Sequence, residues 1–176
     1  MLKKILLAVA VIIAAFIVVV ALQPADFRIA RSAVIDAPPP AVFQHVNNLR
    51  KWEDWSPWAK LDPAARSTFE GPEAGRGAIF KWSGNSEVGE GTMTVTDSQP
   101  AELVRLRLDF TKPMAATNVA EFTFEPRGPA TAVTWSMSGR NNFIARAVCL
   151  FMNPDKMVGG AFEQSLANLK KVAEAR

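Results

Sequence analysis

Apolar and polar positions fall into three textures along the 176 residues. The first is an unbroken apolar run, Ile5 to Leu22, behind Met1-Leu2-Lys3-Lys4 and with no charge before Asp26. At about 1.5 Å of rise per residue the run spans roughly 27 Å as a helix, close to the ~30 Å hydrocarbon core that one crossing must match. A secretory signal peptide opens in the same way, and Val19-Val20-Ala21 resembles a poor cleavage site. A signal's apolar region, however, is usually about 7–15 residues and ends in small side chains. The pattern therefore predicts an uncleaved, single-pass transmembrane anchor over residues 1–22, a tether over 23–26 and one domain over 27–176. Lys3, Lys4 and the terminal amine face Arg28 and Arg31 across the run, and only positive charges near helix ends set orientation. The expectation is an N-terminus inside, with the domain translocated to the far side of the membrane.

The second texture is one strand and a short helical stretch. Phe27, Ile29, Ala33 and Ile35 share one side of an extended segment, and Arg31 interrupts that stripe. Asp36-Ala37-Pro38-Pro39-Pro40 reads as a helix start, since proline in the first turn forfeits no needed donor. Val42, Phe43, Val46 and Leu49 then lie on one face, with His45 on its flank. Trp52, Trp55 and Trp58 follow at every third position.

From Arg66 the texture turns to short alternating segments: 66–69, 78–82, 89–96, 103–110, 118–125 and 131–138. Gly71-Pro72, Ser83-Gly84-Asn85, Gln99-Pro100 and Arg127-Gly128-Pro129 separate them as turns do, which predicts antiparallel neighbours. Val104, Leu106, Leu108 and Phe110 face one way, and Arg105, Arg107 and Asp109 the other, so one face is covered and one is wet. A last helix starts at Asn153-Pro154-Asp155 and carries Val158, Phe162, Leu166, Leu169 and Ala173 at helical spacing. Gly159-Gly160 is costly there, by roughly 1 kcal/mol per glycine relative to alanine. Close approach of backbone or ligand explains the pair, and so does a late or kinked helix start.

Charge removes several function classes. The 20 basic residues less Lys3 and Lys4 leave 18 against 17 acidic ones, a net +1 outside the apolar run. Phosphate binding needs clustered Lys and Arg, whereas these charges alternate in sign, so no nucleic-acid partner is expected. One histidine, His45, and one cysteine, Cys149, leave little for a metal, because zinc needs three or four ligands, and no metal or cofactor is expected. Cys149, between Val148 and Leu150, reads as a small core residue. No Gly-x-Ser-x-Gly elbow exists to pair with His45. Gly75-Arg76-Gly77 and Gly89-Glu90-Gly91 supply only two glycines each and open no helix, which does not support a nucleotide site. Asp109, Glu121 and Glu125 have outward parity and read as surface charges. Glu87 and Glu90 flank Gly89 and Gly91, where a bulge can reset parity. Arg140-Asn141-Asn142 reads as a solvated turn, with a role at a ligand's polar end as the alternative.

The order of elements, with Ile35-Asp36-Ala37-Pro38-Pro39 ahead of Val42-Phe43 and then Trp52-Glu53-Asp54-Trp55-Ser56-Pro57-Trp58, resembles the START-like helix-grip superfamily, also called SRPBCC. Within it the chain is similar to the bacterial polyketide cyclase/dehydrase and lipid-transport branch. The likeness covers nearly all of residues 27–176, including Gly77 to Trp82, Phe122-Thr123-Phe124-Glu125-Pro126, Val133-Thr134-Trp135 and Gly160-Ala161-Phe162-Glu163 through Leu169-Lys170. It implies an α+β helix-grip fold, a curved antiparallel sheet of about seven strands wrapped on the long C-terminal helix. The branch has no shared catalytic motif to carry over, so no catalytic residue is assigned.

The resemblance also implies a cavity between sheet and helix, and parity names its lining: Phe80, Trp82, Met93, Val95, Leu106, Leu108, Phe122, Phe124, Trp135 and Met137 from strands, with Phe162 and Leu166 from the helix. The same side chains would equally fill a solid core. Asn118 falls on inward parity as a polar anchor for a ligand, or lies beyond the covered part of the sheet. Trp52, Trp55 and Trp58 pack under the helical pair or form a pocket rim or headgroup contact. The resulting expectation is a membrane-anchored, non-catalytic binding protein for a small hydrophobic molecule or lipid. Two alternatives stay open: a cyclase or hydrolase using Glu87 or Glu90, and an interaction or stress protein with a closed pocket.

Overall fold

The computed structural model describes residues 1–175; Arg176, the last residue of the expected domain, lies outside the described residues. Helix α1, Leu2–Leu22, is long and apolar enough to cross a membrane, a test that a signal sequence passes as well. Strand β1, Asp26–Ile35, follows, then α2, Pro39–Asn47, a 3-10 turn at Leu49–Lys51, α3, Trp52–Trp55, and a second 3-10 turn at Pro57–Lys60. Six strands come next: β2 Arg66–Glu70, β3 Ile79–Ser83, β4 Glu90–Gln99, β5 Leu103–Lys112, β6 Ala116–Arg127 and β7 Ala130–Arg140. Helices α4, Phe143–Cys149, and α5, Pro154–Glu174, close the chain.

The seven strands form one antiparallel sheet in the order β1-β7-β6-β5-β4-β3-β2. This is the helix-grip α+β architecture that the resemblance implied. Each predicted strand and the last helix are present, with boundaries moved by a few residues. Helix α4 was not anticipated. The Arg140-Asn141-Asn142 segment is the end of β7 and a helix start rather than a simple turn, since the Asn142 side chain accepts from the Ala145 N–H. Cys149 is only half-buried, not a core residue.

Inward parity follows the sequence pattern. Val95, Val104, Leu106, Phe122, Phe124 and Val133 are buried against Ile35, Val42, Val46, Trp55, Leu166 and Leu169. Each side chain so buried is worth about 1.5–3 kcal/mol. On the outer face Arg105 meets Glu121 at 2.8 Å and Arg107 meets Asp109 at 2.9 Å.

The tryptophans tie the helical stretch to this core. Trp52 donates its indole N–H to the Val46 carbonyl at 2.8 Å, and Trp55 donates to the His45 carbonyl at 3.1 Å. Asn168 of α5 donates to the Trp55 carbonyl at 3.1 Å.

Arg31 interrupts the apolar stripe of β1 because it fastens the start of α5. Its Nε donates to Glu163 at 2.6 Å, and its Nη1 and Nη2 donate to the Asp155 carboxylate at 3.0 Å each. These two acids hold its pKa above the ordinary arginine value, Asp155 first and Glu163 second. A Cβ on Gly159 would collide with the Arg31 guanidinium, whereas a Cβ on Gly160 would meet nothing within 4 Å. Close approach therefore accounts for Gly159 and not for Gly160.

Candidate functional site

The inner face of the sheet is not filled evenly. Helix α2 packs on β5, β6 and β7, and α5 packs on β1 and α3. The half of the face formed by β3, β4 and the Phe110 ends of β5 and β6 is left under the first turns of α5 and the Pro57–Lys60 turn. There the molecule holds a cavity of about 620 Å³. Phe80, Trp82, Met93 and Leu108 form its strand wall, Trp135 and Met137 continue it, and Val158 and Phe162 close it from α5. A second lobe of about 630 Å³ shares Phe110, Met137 and Val158 and extends past Phe27, Ile29 and Asn118 to Ala145 of α4 and Met114 of the β5–β6 turn. Ligand sites run from about 300 to 1,000 Å³, so either lobe has the required size.

Missing side chains shape this space. Trp82 lies across Gly91, where a Cβ would stand 2.6 Å from the indole ring. Phe110 meets Trp82 edge to face at 5.7 Å. Gly139 leaves room for the Asn118 carboxamide and for Phe27. Asn118 is half-buried, with its amide 4.0 Å from the Met137 sulfur. Trp135 stacks on Phe162 at 3.9 Å and on Phe122 at 4.6 Å. Its indole nitrogen is sealed from solvent and from the cavity and has no hydrogen-bond partner.

Phe80, Trp82, Met93, Leu108, Trp135, Met137 and Phe162 line the first lobe, and Asn118 lines the second. Val95, Leu106, Phe122, Phe124 and Leu166 have the same parity but lie in the solid core and touch neither lobe. Of the three tryptophans, Trp52 and Trp58 face the first lobe, while Trp55 is 1 % exposed and wholly within the core. Sequence reasoning passed over Phe110 and Val158, although parity and helical spacing marked both as inward. Nothing in the sequence pointed to Met114 or Ala145. Arg140, Asn141 and Asn142 border the second lobe.

The acids near the cavity are held at its edge. The expected bulge is present between Glu90 and Gly91, yet Glu90 stays on the outer face. It accepts from Lys112 at 2.9 Å and from Ser83 at 3.0 Å. Lys112 first and Ser83 second hold its carboxyl below the usual carboxylate range. Asp62 at the mouth accepts from the backbone N–H groups of Ala64 and Asn85. Glu87, also at the mouth, is exposed in the β3–β4 turn. Among the described residues no three His, Cys, Asp or Glu side chains converge as metal ligands would. The arrangement suits the burial of an apolar molecule, with Asn118 as a half-buried polar group in the second lobe.

The model of the family described as polyketide cyclase / dehydrase and lipid transport matches residues 26–174. The chain belongs to this family, a branch of the helix-grip proteins. No curated protein matches the sequence. Among solved structures the chain is similar to protein CV1439 from Chromobacterium violaceum, at 16% identity and a TM-score of 0.61 over 88% of this chain and 100% of that one. It is similar to the di-domain ARO/CYC BexL from the BE-7585A biosynthetic pathway, at 14% identity and a TM-score of 0.62 over 89% of this chain and 53% of that one. Ara h 8.0201 is a third neighbour, at 12% identity and a TM-score of 0.57 over 84% of this chain and 95% of that one. At such identities these likenesses concern the fold alone.

Proposed function

We propose that the protein is a membrane-anchored carrier or receptor for a small, mostly apolar molecule or lipid, and that it performs no covalent chemistry. In this reading residues 1–22 are a single-pass anchor in a bacterial cytoplasmic membrane, 23–26 a tether and 27–176 the binding domain, on the extracytoplasmic side. The observation that carries it is the two-lobed cavity, whose walls are mostly apolar, with Glu53, Lys60, Asp62, Glu87, Lys112 and Arg140 as the charged residues of its lining. Each 100 Å² of apolar ligand surface buried there is worth roughly 2.5 kcal/mol. Phe80, Trp82, Met93, Leu108, Trp135, Met137 and Phe162 would hold the apolar body, and Asn118 its polar end. Trp52 and Trp58 would border the first lobe.

The absence of covalent chemistry is supported by what the acids do. A general acid at neutral pH needs a carboxyl whose pKa is raised by burial or a like charge. Glu90 is pulled the opposite way by Lys112 and Ser83. Native mass spectrometry of the full chain, extracted in mild detergent, tests the proposal. A copurifying lipid or apolar metabolite is the expected result, and protein that remains empty after incubation with membrane lipid extract overturns it.

A further inference from the structure

Helix α4 and the residues after it present their apolar side chains outward. Phe143, Ile144, Val148, Phe151 and Met152 are all exposed, Ile144 at 62 % and Phe151 at 80 %. An apolar patch of this kind on a soluble surface marks an interaction site, and its position beside α1 says with what. Phe151 stacks on Phe16 of α1 at 6.4 Å. Arg146 of α4 donates to the carbonyls of Ala21 at 3.1 Å and Gln23 at 3.4 Å, at the end of α1. Val20 is fully buried although the rest of α1 is bare.

Depth follows from helix geometry. Phe16 precedes Leu22 by a stretch of α1 that rises roughly 9 Å at 1.5 Å per residue. If the end of α1 marks the membrane surface, the Phe151 ring beside Phe16 sits well below it. Interfacial helices embed their apolar faces by about 5–10 Å, which agrees with this depth. The strand register places the β5–β6 turn at the same end of the sheet, because Phe110 pairs with Ala116, Asn118 with Gly139, and Arg140 with Asp26 beside the end of α1. Met114 in that turn is exposed, and together with Ala115, Asn142 and Ala145 it borders the second lobe.

We propose that Phe143–Met152 is inserted into the lipid bilayer beside α1 as an interfacial wedge, so that the second lobe opens toward the acyl chains between α4 and the β5–β6 turn. The inference rests on α1 being a membrane anchor, as proposed above. The occupant of the apolar face is bilayer lipid, since a segment fastened to α1 at this depth meets acyl chains and not water. A ligand drawn from the membrane would then reach Asn118 and Met137 without crossing the aqueous phase.

The test uses the full chain with Cys149→Ser, carrying a single bimane label at Phe151→Cys, Ile144→Cys, Ile12→Cys or Val34→Cys. Val34 is a water reference, roughly 26 Å along β1 from Asp26. The proteins are placed in nanodiscs of phosphatidylcholine and phosphatidylglycerol, with or without brominated acyl chains, and exposed to iodide. Labels at Phe151 and Ile144 are expected to lose fluorescence to brominated lipid as the Ile12 label does, and to resist iodide, which quenches the Val34 label. Iodide quenching at both Phe151 and Ile144, with Ile12 still quenched by lipid, overturns the wedge and leaves the anchor standing. Iodide quenching at Ile12 overturns the anchor and the wedge with it. Shielding of Phe151 and Ile144 from both quenchers means that a protein or a second copy covers the face, and this too overturns the proposal.

Discussion

Phe122 and Phe80 both point to the inner face of the same sheet, yet one is in a solid core and the other on the wall of a void. Phe122 is fully buried between Trp52, Trp55 and Trp135. Phe80 is half-buried, stacked with Trp82 at 5.8 Å, and has the 620 Å³ cavity before it. The difference lies in what stands opposite. Helices α2 and α3 and the later turns of α5 seal the Phe122 half, while the other half faces the glycine-bearing start of α5 and a 3-10 turn. A strand's parity selects a face, and the covering element decides whether that face is packed.

The largest expected effect breaks the comparison directly. Phe122→Ala should lower unfolding free energy by about 3–5 kcal/mol, the usual cost of emptying a packed aromatic site. Phe80→Ala should cost less than half as much, because its ring already borders empty space. Urea denaturation of both variants checks this, and equal losses would mean that the two halves are packed alike.

Next in size is the effect on binding. Leu108→Trp adds bulk into the first lobe without meeting a packed neighbour across it, so bound ligand should fall by about ten-fold, equivalent to ~1.4 kcal/mol. The same enlargement at Leu106, which is fully buried in the solid half, should instead destabilise the fold by about 1–3 kcal/mol. Native mass spectrometry and thermal melts of the two variants separate these outcomes.

The adjacent glycines of α5 sharpen the contrast at the hollow end. Gly160→Ala meets open space and should stabilise by about 0.5–1 kcal/mol through helix propensity. Gly159→Ala would press on the Arg31 guanidinium and should lower the melting temperature despite the same gain in propensity. Two increases would show that Arg31 does not fasten the helix as described.

The smallest effect belongs to the packed half. His45 has its pKa lowered, first by burial of the ring and then by Lys51, with Asp54 opposing, and its Nδ1 is buried without a partner. Protonation is then less favourable in the folded than in the unfolded chain. Its contribution is complete above the unfolded value of about 6.5 and is lost as pH falls from there through the lowered folded value. Glu90, Asp109 and Asp155 have carboxyls below their usual range, so theirs is lost only in more acid solution. Urea midpoints at pH 7.5 and 5.5 should differ for the native chain and differ less for His45→Gln.

Periodicity determined a good deal unaided. Residues 5–22 form a helix in any apolar setting, the alternation in 103–110 defines a strand with one wet face, and Asn153-Pro154-Asp155 starts the last helix. These are local matters of side-chain spacing and backbone donors, and the resemblance added how they assemble. Parity also marked Phe80, Trp82, Met93 and Leu108 as inward, but it marked Val95, Leu106, Phe122 and Phe124 in the same way. Only the tertiary structure divided that set into wall and core, because the division depends on where α2, α3 and α5 stand and sequence spacing carries no information about an opposing surface. Helix α4 escaped notice for a related reason. Its seven residues include no buried position, so no apolar stripe facing the core marks them as a helix. The closeness of Arg31 to Gly159 likewise became visible only when β1 and α5, far apart in sequence, met across the sheet.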